Sequence, residues 1–508
     1  MNYDTVIGLE IHVQMCTKTK TFCGCSTEYG ARPNTHTCPV CLGLPGALPV
    51  LNRGVLEKGV AAGLALNCEV RGTSIFARKN YFYPDLPKAY QISQYEQPLN
   101  VGGFVVIIDE NGREKRIGIT RAHLEEDAGK LIHDEDPKGP SYVDFNRCGV
   151  PLLEIVSEPE IGTPEEAYRF LAAIKEMMQY AGVSECSMEK GELRVDVNVS
   201  LRTQGERELG VKQEIKNMNS FAGVKRALEY EIKRQTKVLR SGERLRPETR
   251  LFDENKGATV SMRSKEEAHD YRYFPDPDLV PLALDRPFIE QVRKALPELP
   301  EAKRRRFTTE YGLTGYDAAL LCSSPKVAGF FEAAAAGRGA LLPAASDAEG
   351  TASGVPPPAA AVRSGRPKKI ANWILTELTG AMNAMKVEID RFAVTPSMLG
   401  ELIDLIDSGE ISGKMAKEVF DEMVSTGKSA HSITESRGLK QVTDADEIGA
   451  AVDEVLAEHE KVVKDYEGGK SSAFGFLVGQ VMKKTKGKAN PKLVNDLLDR
   501  KLGAREKQ

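Results

Sequence analysis

Over residues 193–201 every second residue is aliphatic: Leu193, Val195, Val197, Val199 and Leu201. A period of two puts these five on one side of an extended strand and Arg194, Asp196, Asn198, Ser200 and Arg202 on the other. Such a polar face is ordinarily solvated, but it could instead floor a cleft. Other strand signals surround it. Phe104-Val-Val-Ile-Ile-Asp and Arg-Ile-Gly-Ile-Thr flank Asn111-Gly112, which reads as a hairpin turn.

Two helices are equally well marked. Thr163-Pro164-Glu165-Glu166 offers an N-cap, a proline at the first helical position and a capping-box glutamate. Phe170, Leu171, Ile174, Met177 and Met178 follow as an apolar stripe that Gly182 ends. Ser220 caps a second helix carrying Phe221, Val224, Leu228 and Ile232. Residues 1–287 therefore read as an α+β domain.

From residue 288 the texture turns helical, and residues 288–407 read as an all-α domain. Residues 333–367 interrupt it with Ala, Gly, Ser and Pro. That composition buries too little apolar surface to offset its ordering entropy, so a disordered insertion is expected. Residues 408–508 form a last, small all-α unit. Near its end Lys483, Lys484, Lys486, Lys488 and Lys492 crowd a turn, and Asn490 and Pro491 suit the start of a final short helix.

The 508 residues suffice for two to four domains. A net charge of −4 excludes a surface coated in cations, although a local basic patch would still serve RNA. No apolar run approaches the roughly 20 residues of a membrane helix, and the start reads as a strand rather than a signal peptide. A cytoplasmic protein is expected. Neither a G-x-x-x-x-G-K-[ST] phosphate loop nor a G-x-S-x-G elbow occurs.

Five of the nine cysteines crowd the first 41 residues. Cys23-x-Cys25 and Cys38-Pro-Val-Cys41 are two short-spaced thiol pairs across a loop, a spacing that closes a tetrahedral zinc site. Four thiolates leave no open coordination position, so zinc there is structural. Unrelated buried cysteines are the competing reading. A second set is hard-ligand in character. Glu10 and His12 lie two apart in a strand and share a face. Glu125, Glu126 and Glu154 sit in further strand-like segments, and such carboxylates suit magnesium if phosphate completes the shell. On spacing alone a strand face often carries such residues without function. Lys79, Tyr81 and Lys88 belong to a rigid, aromatic, proline-containing stretch whose cations could meet phosphate, carboxylate or nucleic acid.

These segments carry a resemblance. Gly8-Leu-Glu-Ile-His-Val-Gln14, Cys38-Pro-Val-Cys-Leu-Gly-Leu-Pro-Gly46 and Lys79-Asn-Tyr-Phe-Tyr-Pro-Asp-Leu-Pro-Lys88 are similar to the B subunits of aspartyl/glutamyl-tRNA(Asn/Gln) amidotransferases. So are His123-Leu-Glu-Glu-Asp-Ala-Gly129, Arg194-Val-Asp-Val-Asn-Val-Ser200, Glu214-Ile-Lys-Asn-Met-Asn-Ser220 and Tyr271-Arg-Tyr-Phe-Pro-Asp-Pro-Asp278. The match covers nearly the whole chain. It implies a mixed α/β cradle domain built on an antiparallel sheet, with a zinc-binding insert near residues 16–45, a helical domain, and a YqeY-like tail that touches tRNA.

The resemblance also implies a reaction. The carboxylate of Glu-tRNA(Gln) or Asp-tRNA(Asn) is phosphorylated by ATP, and ammonia from a glutaminase partner displaces phosphate. The implied heterotrimer joins this chain to that glutaminase, the A subunit, and to a small C subunit. Carried over residue by residue, Glu10, His12, Glu125 and Glu154 become the magnesium and phosphate centre, with Glu126 as a substitute for Glu125. Lys79, Tyr81 and Lys88 lie on the ammonia route or beside the anionic substrate, and Asp196, Asn198 and Lys216 line the cleft. The five tail lysines contact tRNA. The Ala/Gly/Pro insertion departs from the family pattern and puts the spacing of the helical domain in doubt.

Two other classes compete. A tRNA-binding scaffold needs cations and aromatics but has no use for converging magnesium ligands. A zinc hydrolase is disfavoured because four thiolates saturate the metal.

Overall fold

The computed structural model describes residues 2–133, 139–264, 271–336, 365–439, 445–468, 470, 472–485, 489 and 491–505. They fall into two compact units, Met1–Ala302 and Lys303–Gln508. The class is α+β: a sheet-based first unit and a helical second one.

The first unit contains β1 (Tyr3–Gln14), α1 (Arg53–Ala65), β2 (Glu69–Val70), β3 (Thr73–Ser74), β4 (Ala77–Asn80), β5 (Tyr90–Ser93), β6 (Asn100–Ile108) and β7 (Glu114–Glu126). It continues with β8 (Lys130–His133), β9 (Ser141–Asp144), β10 (Pro151–Ser157), α2 (Pro164–Tyr180), β11 (Leu193–Thr203), β12 (Gln213–Lys216) and α3 (Phe221–Arg240). β13 (Glu248–Asp253), β14 (Ala258–Ser264), β15 (Phe274–Pro275), β16 (Leu282–Ala283) and α4 (Arg286–Ala295) close it. Nine strands form one sheet in the order β14-β13-β12-β11-β1-β10-β7-β6-β2. Every pairing is antiparallel except β12 with β13. A small sheet, β15-β4-β5, stands beside β7.

Alternation makes the large sheet two-faced. Ile7, Leu9, Ile11 and Val13 of β1 and Val195, Val197 and Val199 of β11 are buried in one apolar core with Leu153 and Ile155 of β10. Phe170, Leu171, Ile174 and Met178 of α2 and Val224, Ala227 and Leu228 of α3 belong to the same core, as does Val60 of α1. The opposite face stays polar. The helices start as their sequence directs. Thr163 Oγ1 accepts the Glu166 N–H at 3.1 Å, and Ser220 Oγ accepts the Gly223 N–H at 2.9 Å. The Glu166 side chain does not return to the N-cap residue, as a strict capping box would have it. It accepts the Gly162 N–H at 2.7 Å and the Lys115 ammonium at 2.6 Å.

α4 belongs to the first unit, which reaches past residue 287 because Val292, Phe288 and Ile289 pack against this core. In the second unit helices run into both ends of the expected 333–367 insertion. Pro325–Ala336 is helical, the chain is helical again from Arg366, and residues 337–364 lie outside the described residues. The helices Gly413–Thr426 and Ala430–Arg437 pack with Pro396–Asp407. A separate apolar cluster begins only at Ile448 and runs to Leu502, across four helices that end with Pro491–Arg505. Among the described residues no helix is long and apolar enough to cross a membrane.

Candidate active site

The polar face of the large sheet floors a cavity of about 430 Å³. Its floor follows from register. His123 on β7 faces Glu154 on β10, Glu154 faces His12 on β1, and His12 faces Arg194 on β11. Two residues along β1, Glu10 faces Asp196, and Asn198 faces Glu214 on β12. Cross-strand partners project to the same side of a sheet, so five strands deliver their side chains to one place.

Two clusters of hard donors result. Single ligand atoms of His12, Glu125 and Glu154 lie within 4.8 Å of one another, and so do those of Glu10, Asp196 and Glu214. His12 Nε2 is 3.4 Å from Glu154 Oε2, and His123 Nε2 is 3.2 Å from Glu125 Oε1. Behind the first cluster, Gln91 Nε2 and Ser93 Oγ each donate to Glu125 at 2.9 Å. These two β5 side chains fix the carboxylate's orientation.

The electrostatics are uneven. Burial raises the Glu10 carboxyl above its ordinary value, and the charges of Glu154 and Asp196 add to this against His12 and Lys216. Burial would also raise Glu154, yet His123 and His12 hold it well below the usual carboxylate range. Burial would lower His12, but its bond to Glu154 and the charge of Glu125 outweigh this and raise it. A carboxyl pushed up by burial, and further by its acidic neighbours, belongs to a ligand set short of positive charge. Ligands of one magnesium ion lie about 3–4 Å apart, so carboxylates and an imidazole at this spacing fit a hard divalent cation.

Cations and aromatics wall the cleft. Burial would depress the Lys79 ammonium, but Glu125, Tyr273 and Glu154 keep it charged, and its Nζ sits 5.0 Å from the Tyr271 ring centroid. Burial pushes the Tyr273 phenol up to about 12, and it raises Tyr81 as well. Asp127 anchors two arginines, accepting Arg147 Nη2 at 2.6 Å and Arg194 Nη2 at 2.9 Å. Lys216 pairs with Asp196 and, at 3.3 Å, with Glu214. Asn198 Oδ1 is buried with no hydrogen-bond partner.

Glu10, His12, Glu125, Glu154, Lys79, Tyr81, Asp196, Asn198 and Lys216 thus line one cleft. Glu126 and Lys88 do not. Alternation sends Glu126 to the face opposite Glu125, where it pairs with Lys88 and accepts the Ile92 N–H at 2.9 Å. There the two line a second hollow, of about 170 Å³, with Lys20, Cys41 and Tyr90. Of the tail lysines, Lys483 is exposed, whereas Lys484 bridges Glu454 at 2.7 Å and Glu458 at 2.6 Å. Lys486, Lys488 and the side chain of Lys492 lie outside the described residues.

Sequence reasoning passed over His123, Arg121, Asp127, Glu214, Tyr95, Tyr271 and Tyr273 as site residues, all of which line the cleft. His123 had a usable signal, since the spacing that pairs Glu10 with His12 also puts it beside Glu125. The tyrosines had none, because only the fold brings their segments to the rim.

The four cysteine sulfurs lie within 4.8 Å of one another. Thiolates around one zinc ion are spaced by about 3.8 Å, so the cluster fits that metal. The Cys23 thiol and the Lys20 ammonium, 3.6 Å away, help hold the Cys41 thiol down at about 4. A thiol held as thiolate is ready to ligate.

Residues 5–290 match the GatB/GatE catalytic domain, and residues 359–502 match the GatB domain. The B subunit of the aspartyl/glutamyl-tRNA(Asn/Gln) amidotransferase from Thermoanaerobacter sp. (strain X514) is 53% identical over 502 residues, 99% of this chain and 100% of that protein. The protein of that name from Carboxydothermus hydrogenoformans is 51% identical over 502 residues, 98% of this chain and 99% of its own length. Its namesake in Persephonella marina is 53% identical over 499 residues, again 98% and 99%.

Proposed function

The chain belongs to the family of aspartyl/glutamyl-tRNA(Asn/Gln) amidotransferase B subunits, and on that premise we propose that its cleft is where a tRNA-borne carboxylate is phosphorylated and amidated. The protein is one subunit of a tRNA-dependent amidotransferase, a glutamine-dependent, ATP-using ligase of several subunits. A carboxylate resists attack by ammonia until one oxygen becomes a good leaving group, and phosphoryl transfer from ATP supplies that.

Magnesium held by His12, Glu125 and Glu154, with Glu10, Asp196 and Glu214 adjoining, would neutralise phosphate oxygens during transfer. The chain's own groups do the rest. Lys79, kept charged by Glu125 and Glu154, attracts the anionic substrates into the cleft. Arg194, steadied by Asp127, and Lys216, steadied by Asp196, add fixed positive charge on the side of β11 and β12. Tyr81 stays a neutral phenol that can donate to an oxygen without losing its proton. Positioning and electrostatics of this kind account for most of the catalysis of phosphoryl transfer.

Zinc at Cys23, Cys25, Cys38 and Cys41 serves the fold. The lysines of the tail, Lys483 among them, contact tRNA. Ammonia comes from the glutaminase A subunit, held with a small C subunit, since this chain carries no amidase signature. Lys88, outside the cleft and paired with Glu126, is read as lying on the route by which ammonia reaches it.

One observation carries the reading: two hard-donor clusters meet in one cleft beside a charged lysine. A scaffold that only holds tRNA has no use for them. The deciding experiment measures phosphate release from ATP by the chain co-expressed with candidate amidase partners, with and without Glu-tRNA(Gln). Stimulation by the misacylated tRNA that disappears in Glu10→Ala supports carboxylate activation here. An amidating complex without such stimulation moves the chemistry to a partner.

A further inference from the structure

Tyr95 and Tyr273 stack with ring planes 7° apart and centroids 4.2 Å apart. Their neighbours meet edge-on: Tyr81 with Tyr271 at 71° and Tyr271 with Tyr273 at 74°. An edge-on cluster closes its faces against itself, whereas a parallel pair leaves one flat face outward. Here that face belongs to Tyr95, which is 51% exposed.

The pair is built in place. Tyr95 follows β5 and Tyr273 precedes β15, and both strands hydrogen-bond to β4 between them. Beside Tyr95, the buried Gln94 locks the turn. Its Oε1 accepts the Leu99 and Leu124 N–H groups at 3.1 Å each, and its Nε2 donates to Ser74 at 2.7 Å. An exposed aromatic on a turn fixed by three hydrogen bonds loses little entropy on binding.

Position gives the platform a use. The two rings line the catalytic cleft on one side and a shallow hollow of about 90 Å³ on the other. Tyr273 touches Tyr271 at 6.1 Å, and Tyr271 lies under Lys79. The stack therefore runs from the charged lysine of the cleft out to solvent. A ligand with anionic groups in the cleft and a flat ring at its rim matches this arrangement.

We infer that the outward face of Tyr95 stacks an adenine ring whose phosphates or ester reach into the cleft, an assignment that rests on the proposed reaction. That reaction offers two adenines, one on ATP and one on the 3′-terminal adenosine of the acylated tRNA. Stacking accepts either, because it reads the π-face and not the substituents. Tyr95 is accordingly a binding residue for one of the two substrates.

The test uses the purified complex of the chain with its co-expressed partner subunits, supplied with ATP and Glu-tRNA(Gln). kcat and the KM for each substrate are measured for wild type, Tyr95→Ala and Tyr95→Phe. Tyr95→Ala raises one KM by about 5- to 150-fold, the range for losing a base–aromatic stack, with kcat within about twofold. Tyr95→Phe, which keeps the π-face, restores the wild-type value. A rise confined to ATP places the nucleotide base on the platform, and a rise confined to the tRNA places its terminal base there. Unchanged KM values for both, a fall in kcat alone, or a Tyr95→Phe variant as impaired as Tyr95→Ala overturns the assignment. A wild-type complex that amidates without tRNA-stimulated phosphate release overturns the proposed reaction, and this inference with it.

Discussion

Glu154 on β10 is the cross-strand neighbour of His12 on β1, and His12 Nε2 lies 3.4 Å from Glu154 Oε2. On its other side Glu154 faces His123 of β7, whose Nε2 is 3.8 Å from the same oxygen. A carboxylate flanked by two imidazoles on rigid, paired strands cannot drift from its position. Such preorganisation is what a site assembled around phosphate charge requires.

Glu10→Ala lowers tRNA-stimulated phosphate release by about 10²- to 10³-fold, the range for losing one group aimed at transition-state charge. Affinity for tRNA should stay nearly intact, since the reading proposed above assigns the tRNA contacts to the tail. A parallel loss of tRNA binding, followed by filter retention, would point to misfolding and count against the role given to Glu10.

Gln91→Ala and Ser93→Ala leave the ligands in place but free the Glu125 carboxylate, which each orients at 2.9 Å. The magnesium concentration for half-maximal activity should rise by about 10- to 100-fold, as is usual when an outer partner of a ligand is removed. Activity at saturating magnesium should largely recover. A magnesium titration that superimposes on wild type rejects Glu125 as a ligand.

Cys38→Ser should drop zinc content from about one ion per chain to near zero and lower the melting temperature. The fraction that stays folded should amidate at the normal rate, because a four-thiolate site is closed to substrate. Elemental analysis beside a thermal melt decides this. A well-folded, zinc-free variant with no activity would give the metal a part in the chemistry.

Arg366 is a buried guanidinium that donates to Ala334 O at 2.9 Å, Ala335 O at 3.0 Å, Gly400 O at 3.3 Å and Asp404 Oδ1 at 2.9 Å. It ties the end of one helix, the start of the next and the middle of a third. Arg366→Ala should destabilise the helical unit by about 2–4 kcal/mol, through the loss of charge-assisted bonds and carbonyls left unsatisfied. Arg366→Lys should rescue little, since one ammonium cannot reproduce the planar fork. Urea unfolding monitored at Trp373, in the helix that Arg366 starts, gives the number. A change below about 1 kcal/mol would show that the carbonyls find water.

A chain that stops after residue 439 should lose tRNA affinity more than turnover at saturating tRNA. The cut removes the Ile448–Leu502 cluster whole, whereas a cut after Tyr466 would strip half of that core. Removing one lysine–phosphate ion pair flattens the salt dependence of log Kd by about 0.9 where the RNA is duplex-like. An unchanged affinity and salt slope would remove the tail from tRNA binding.

Much of the site was legible in residues two apart. The spacing of Glu10 and His12, and of Arg194, Asp196 and Asn198, predicts shared faces, and each set does face the cleft. The same rule, applied along β7, separates Glu125 from Glu126, yet a shared motif invites treating them as interchangeable. Lys88 shows a different limit. It lies in a short stretch with Lys79, but the loop between them turns it to the far side of the sheet, where Glu126 waits. The cysteine pairs were readable because two short loops bring their sulfurs together whatever the rest of the fold does.

Local rules thus determined which residues become strands and helices, which face of each strand is polar, and where a thiol cluster closes. Those depend on spacings of a few residues, fixed by backbone geometry. Tertiary structure alone decided which polar faces meet. Strand order places β10 and β11 on either side of β1, and register sets Glu154, His12 and Arg194 in one row. It likewise decided that Tyr95 and Tyr273 stack. Pairing between distant strands is a global free-energy minimum over the whole core, so no short window of the chain contains it.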